Sequence, residues 1–188
     1  MVAAIYSGSR KKEGVTMRLN GMLQMAVVGV MAAVMTAVPT TARAQGATVL
    51  KPADMQKLMP ASVYYKGQSA TTQLRNSGGV KFADGYFVLS TMVDTSGYSS
   101  DVAAKYQAYF ITEVPIKLGG KSLPAGVYGI GFVAGDKLAV TDVGAHDVAT
   151  VSTMTDEGLK RPMPLQVVAD AAGGFRLYSG RRYIVFSR

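Results

Sequence analysis

One histidine, His146, stands between two carboxylates, Asp142 four residues before it and Asp147 directly after it. An imidazole beside two carboxylates can hold a divalent cation or pass a proton near neutral pH. A zinc site wants three or four nitrogen or sulfur ligands, and a chain with one histidine and no cysteine cannot complete one. A calcium site made of carboxylates alone would show alternating Asp or Asn, and no such run occurs. Val143-Gly144-Ala145-His146-Asp147 therefore reads as a solvated turn between two strands, with no metal and no cofactor expected.

Asp94-Thr95-Ser96-Gly97 is similar to the Asp-Thr-Gly loop of aspartic proteases, whose chemistry needs two carboxylates sharing one proton. Ser96 intrudes before the glycine and no second copy exists, so the segment reads as an Asx-type turn closed by Asp94. Gly126, Gly129 and Gly131 have the spacing of a dinucleotide fingerprint written backwards. They lie inside a strand pattern and carry no phosphate-binding weight. A hydrolase acting on envelope or extracellular polymers would draw its acid and base from carboxylates such as Asp94, Glu113 or Asp142. For a glycosidase, two of them must face one cleft about 5–9.5 Å apart. No catalytic residue is assigned.

The remaining chemistry is cationic. From Lys160 to Arg188 there are six Lys or Arg and a single acid, Asp170. Arg176, Arg181 and Arg182, with Tyr178 and Tyr183 flanking Gly180-Arg181-Arg182, are the candidate ligand-binding residues. Guanidinium groups beside aromatic rings suit sulfate, phosphate or acidic sugars. The other reading is a solvated hairpin end that discourages edge pairing. As exposed charges, Arg181 and Arg182 are expected to contribute little to folding.

The elements that must hold these residues begin after a targeting segment. A basic start (Arg10, Lys11, Lys12, Arg18) precedes an uncharged run from Met22 to Val38, followed by Pro39 and Thr40-Thr41-Ala42-Arg43-Ala44. Charged start, apolar middle and Ala-x-Ala end are the parts of a secretory signal, with cleavage expected after Ala44. Met17 would give the signal a start of ordinary length. Without a cysteine there is no site for lipid attachment. Residues 1–44 are thus read as signal peptide, and Gln45–Arg188 as one β-rich domain in the periplasm or secreted medium. Fifteen of the twenty Lys and Arg and eleven of the twelve acids follow Ala44, leaving +4 of the whole-chain +8. That modest charge argues against nucleic acid as a partner.

Gln45–Leu50 reads as a flexible leader and Lys51–Met59 as a short helix, with Pro52 at its first turn and Pro60 as its stop. A second short helix is expected over Ser99–Gln107. Otherwise strands alternate with glycine-rich turns, among them Ser77-Gly78-Gly79, Asp84-Gly85, Gly119-Gly120 and Gly135-Asp136. The longest strand, Ala108–Leu118, sets Ala108, Phe110, Thr112, Val114, Ile116 and Leu118 on one face, and Pro115 marks an edge or bulge. Glycines at 129 and 131 mean that something approaches bare backbone, either a crossing aromatic or a ligand. The expected fold is all-β: an antiparallel meander forming a small barrel or sandwich, with one or two short helices.

Gly119-Gly120-Lys121-Ser122-Leu123-Pro124-Ala125-Gly126-Val127-Tyr128-Gly129-Ile130 resembles a hairpin recurring in uncharacterised secreted bacterial β-domain proteins, of the pattern G-G-K-x-L-P-A-G-x-Y-x-[IL]. The resemblance implies a β fold and an exported compartment, and transfers no chemistry. The functional expectation is an exported, non-enzymatic binding or envelope-associated domain. Its partner classes are an anionic glycan, a lipid headgroup or an envelope protein, and the alternative is the carboxylate hydrolase. Intact-mass measurement of the exported protein should find Gln45 as the first residue; a retained precursor or another first residue would contradict the cleavage site.

Overall fold

The computed structural model describes residues 46–188. The expected signal helix over Met22–Val38 and the cleavage site after Ala44 lie outside the described residues. In chain order the elements are β1 (Thr48–Leu50), α1 (Pro52–Leu58), β2 (Ser62–Tyr65), β3 (Gln68–Lys81), β4 (Phe87–Val93), α2 (Ser100–Lys105), β5 (Ala108–Thr112), β6 (Ile116–Leu118), β7 (Lys121–Leu123), β8 (Gly126–Val133), β9 (Lys137–Thr141), β10 (Asp147–Ser152), β11 (Met154–Thr155), β12 (Met163–Ala169), β13 (Phe175–Gly180) and β14 (Arg182–Ser187). All pairings are antiparallel. One sheet runs β1-β3-β4-β5-β8-β9-β10, with β2 also on β3; the other runs β12-β13-β14-β6-β7, with β11 also on β14. Neither sheet closes on itself, so of the two expected architectures the chain takes the sandwich.

The chain passes between the sheets within the long alternating strand. Phe110, Val114, Ile116 and Leu118 are all buried in one cluster, as the period of two requires. The ladder nevertheless breaks at 113–115: β5 pairs with β4 and β8, whereas β6 pairs with β14 and β7. Pro115 has no N–H to give to a ladder, so the break falls where it costs least. Glu113 fixes the corner, its N–H donating to the Phe87 carbonyl (3.0 Å) and its Oε2 accepting from Phe87 N–H (2.8 Å). The expected single strand is therefore two strands in different sheets, sharing one core-facing side.

Gly119 and Gly120, at φ 55° and 82°, turn β6 into β7. The chain then returns through Pro124 to β8, where Tyr128 curls back over Gly126 and donates its hydroxyl to the Pro124 carbonyl (3.0 Å). Gly129 and Gly131 answer the question of what approaches bare backbone. A Cβ on Gly129 would lie 2.6 Å from the Tyr65 ring and 2.9 Å from Tyr106; one on Gly131 would lie 2.6 Å from the Ala104 carbonyl at the end of α2. Aromatic rings and a helix end occupy the space, as the crossing-aromatic alternative anticipates.

Two expectations need correction. Ser77-Gly78-Gly79 is not a turn but lies inside the fourteen-residue β3. A register shift between Gln73 and Ser77 swings Leu74 out toward α1, where it packs on Leu50, Met55, Met59 and Leu89. The two glycines are required by neighbours: a Cβ on Gly78 would sit 3.0 Å from the backbone nitrogen of Val167, and one on Gly79 would sit 2.5 Å from the Val88 carbonyl. The second correction concerns Gln45–Leu50, expected as a leader. Its last three residues form β1, which pairs Thr48 with Lys81 and Leu50 with Gly79.

Helix α1 starts at Pro52, with Lys51 N–H donating to Asp54 Oδ2 (3.0 Å), and stops before Pro60. Helix α2 is shorter than expected, and Ser99 at its N-cap makes no side-chain cap hydrogen bond. At the C-terminus Arg188 pairs with Asp84 and lies over the rings of Phe82 and Tyr86, tying β14 to the β3–β4 turn. That contact holds the Asp84 carboxyl below the usual carboxylate range. Tyr128, Ile130 and Phe132 share one core with Phe110, Val114 and Ile116, and Phe132 is 4 % exposed. Phe132→Ala should therefore cost about 3–5 kcal/mol in urea unfolding; a loss below about 1 kcal/mol would contradict this placement.

Candidate functional site

The basic hairpin is formed as expected: β13 and β14 pair through a two-residue turn, Gly180-Arg181, with Gly180 at φ 62°. Its guanidinium groups do not share one surface. Leu177 and Ile184 pair and face the core, so Arg176, Tyr178 and Tyr183 lie on the opposite, outer side of the sheet. There Arg176 donates to Asp170 Oδ1 (2.9 Å) and to the Tyr178 hydroxyl (3.4 Å), lies 3.9 Å from Asp156 and stacks 4.6 Å from the Tyr183 ring centre. Tyr178 stacks on Tyr183 and donates to Asp156 Oδ2 (2.9 Å). Burial works against a charged Asp170, but hydrogen bonds from Arg176 and from Ala172 N–H outweigh it and hold the carboxyl below its usual range. Hydrogen bonding to Tyr178 and Asp170 keeps Arg176 still more firmly protonated than a free guanidinium.

Arg182 points the other way. It donates from Nη1 to the Val133 carbonyl and from Nη2 to the Phe132 carbonyl, both at 2.8 Å, and lies over the Phe132 ring. It thereby laces the end of β8 to the opposing sheet. Arg181 is exposed and donates to the Glu157 carbonyl (2.9 Å). All three guanidinium groups thus have acceptors within the chain, and the expectation that Arg182 contributes little to folding is corrected by its two carbonyl partners.

The carboxylates proposed for acid–base work sit on three separate loops. Asp94 closes the expected Asx turn by accepting from Ser96 N–H (3.0 Å), which lowers its pKa. Glu113 serves the sheet-crossing corner. Asp142 accepts from the backbone N–H of Gly144 and His146 (both 2.9 Å) and from the His146 ring (3.0 Å), which hold it charged. Asp147 is paired instead with Lys105 (2.8 Å). No group of three or more metal-ligating side chains occurs among the described residues.

Neither of two concavities is lined by Asp94, Glu113 or Asp142. One, of about 140 Å³, is lined by Tyr65, Lys66, Asp101, Lys105 and Thr141, among others. Its hydroxyls are already joined, Tyr65 to Thr141 at 2.6 Å, and its Lys105 is held by Asp147. The larger is a groove of about 410 Å³ between the sheet edges, walled on one side by Val49–Pro52 and on the other by Met163 and Leu165–Ala169, with Ser77 also on its wall. Consecutive residues of β12 line it because β12 is the terminal strand of its sheet and presents its length to the opening. The volume falls in the range of small-molecule sites, about 300–1,000 Å³.

The groove is mainly apolar, with few polar exceptions. Gln166 lines it and has a buried Nε2 with no hydrogen-bond acceptor. Lys51 stands exposed at its wall and has no ion-pair partner among the described residues. The Ser77 hydroxyl is engaged by the Leu74 carbonyl. Asp94, Glu113 and Asp142 line neither concavity. Sequence reasoning missed the groove, since its walls are strand edges brought together by pairing. The one local signal is the absence of charge from Met163 to Ala169, which leaves the edge without the lysines or acids that usually protect one.

Comparison with protein-family models, with curated proteins and with solved structures finds no match to this chain. Arg182→Ser should lower stability by about 1–2 kcal/mol in urea unfolding, because two carbonyls at the end of β8 lose a charged donor. Arg181→Ser should stay within about 0.5 kcal/mol of the parent. Equal stabilities for the two variants would contradict the division of roles.

Proposed function

We propose that the chain is an exported, non-enzymatic binding domain whose ligand seat is the groove between β1 and β12. Export rests on the sequence alone, through the charged start, the uncharged run of Met22–Val38 and the Ala42-Arg43-Ala44 end. The observation that carries the binding reading is the groove itself: about 410 Å³, mainly apolar, and open between Val49–Pro52 on one side and Met163 and Leu165–Ala169 on the other, a volume in the range of small-molecule sites.

Recognition of an anionic partner by Arg176, Arg181 and Arg182 would have to displace acceptors those groups already hold, two of them backbone carbonyls of β8. The groove competes without that cost. The hydrolase alternative gains no support from the positions of Asp94, Glu113 and Asp142, each of which accepts hydrogen bonds from backbone N–H groups.

Met163 lines the groove and is 40 % exposed, so Met163→Asp places a charge among apolar walls with little cost to folding. Native mass spectrometry of the exported protein should find a non-covalent small-molecule adduct that this variant lacks. An adduct that survives Met163→Asp, or bare protein in both, would overturn the groove as the ligand seat.

A further inference from the structure

Resting on the groove as ligand seat, we infer that Met163 is an oxidation-sensitive gate on it: conversion of its thioether to the sulfoxide empties the groove. The chain has no cysteine, which leaves its thioethers as the sulfur groups open to oxidation. Five methionines fall among the described residues. Met55 and Met59 are buried in the cluster around α1, and Met92 packs against the main core. Met163 and Met154, by contrast, are 40 % and 45 % exposed. Susceptibility follows exposure, so an oxidant meets these two first. Of the pair, Met163 alone lines the groove.

Pro162 and Pro164 on either side keep the effect local. A residue before proline is confined to extended backbone, and neither proline has an N–H to lose from a ladder. Met163 opens β12 opposite Gly180, and the register shifts between it and Gln166. Oxidation there alters a side chain at the strand end and leaves the pairing of Gln166–Ala169 intact. In the step itself a sulfur lone pair attacks one oxygen of hydrogen peroxide or of a hypohalous acid. An S–O bond forms as the O–O or O–halogen bond breaks, and water or hydrogen halide leaves. The thioether loses two electrons and the oxidant gains them. The product sets a polar acceptor on a wall otherwise made by Val49, Leu50, Pro52, Leu165 and Val167. An apolar occupant would strip that oxygen of water, which disfavours binding. Sulfoxide reductases restore the thioether, so the gate can be reset.

The test treats the exported protein, as purified, with graded hydrogen peroxide. Peptide mass mapping follows each methionine, and native mass spectrometry follows the co-purified adduct. Met154 and Met163 should gain oxygen before Met55 and Met59. Molecules carrying Met163 sulfoxide should hold the adduct about tenfold less or weaker still, the ratio that burying one unpaired polar group supports. Met154→Leu should lose adduct under peroxide as the parent does. Met163→Leu, whose side chain has no sulfur, should carry the same adduct after treatment as before it. Thermal unfolding of the oxidised parent should match that of the untreated protein, which separates a changed groove from a lost fold. An adduct that survives complete oxidation of Met163, or is lost equally from Met163→Leu, would overturn the gate while leaving the groove as a site. Oxidation of Met163 no faster than that of Met55 and Met59, or unfolding of the oxidised parent, would overturn the gate as well. Bare protein before any peroxide is added would overturn the groove reading, and the gate with it.

Discussion

The close passage of β12 over β3 at Gly78 governs the corner of the sandwich where the groove lies. Val167 brings its backbone nitrogen to within 3.0 Å of where a Gly78 side chain would begin, and Gly79 leaves equally little space beside β4. Only bare backbone allows the two sheets to come this near. Just beyond the pinch β1 pairs with the end of β3 while β12 pairs with β13 in the other sheet. The groove is the space between those two edge strands. Any side chain at Gly78 would push β12 outward and change the groove and the core together, because Leu165 and Val167 belong to both.

The opposite side of the sandwich is closed by a covalent link. The chain leaves one sheet at Thr112, turns through Glu113-Val114-Pro115 and enters the other at Ile116, keeping its buried face throughout. Arg182 and Arg188 add polar ties, one to the carbonyls at the end of β8 and the other to Asp84 in the β3–β4 turn. Two of the six cations between Lys160 and Arg188 are thus consumed in holding the sheets in place.

The all-β class, both short helices and most turns were legible because they depend on local chemistry: alternation, Pro52 and Pro60 at the ends of α1, and paired glycines at Gly119-Gly120. The Asx turn at Asp94 and the solvated turn around His146 were legible for the same reason. What local chemistry could not reveal was set at a distance. Gly78 and Gly79 resemble a turn, yet they answer to Val167 and Val88 on other strands. Thr48–Leu50 is too short to show a period and becomes a strand only because β3 has a free edge there. The acceptors of Arg182 lie about fifty residues upstream and are carbonyls, which leave no mark in the sequence. The groove has two walls more than a hundred residues apart, and no motif records it.

The central claim is that ligand enters between β1 and β12. Amide chemical-shift mapping by NMR, comparing the exported protein as purified with the same protein freed of small molecules by unfolding and refolding, tests it most directly, since every wall of the groove except Pro52 carries a backbone N–H. The predicted result is a contiguous set of shifts at Val49–Lys51, Ser77 and Leu165–Ala169, with the hairpin around Gly180-Arg181-Arg182 unmoved. Shifts centred on that hairpin or on the turn at Asp142–Asp147, or no shifts at all, would contradict it.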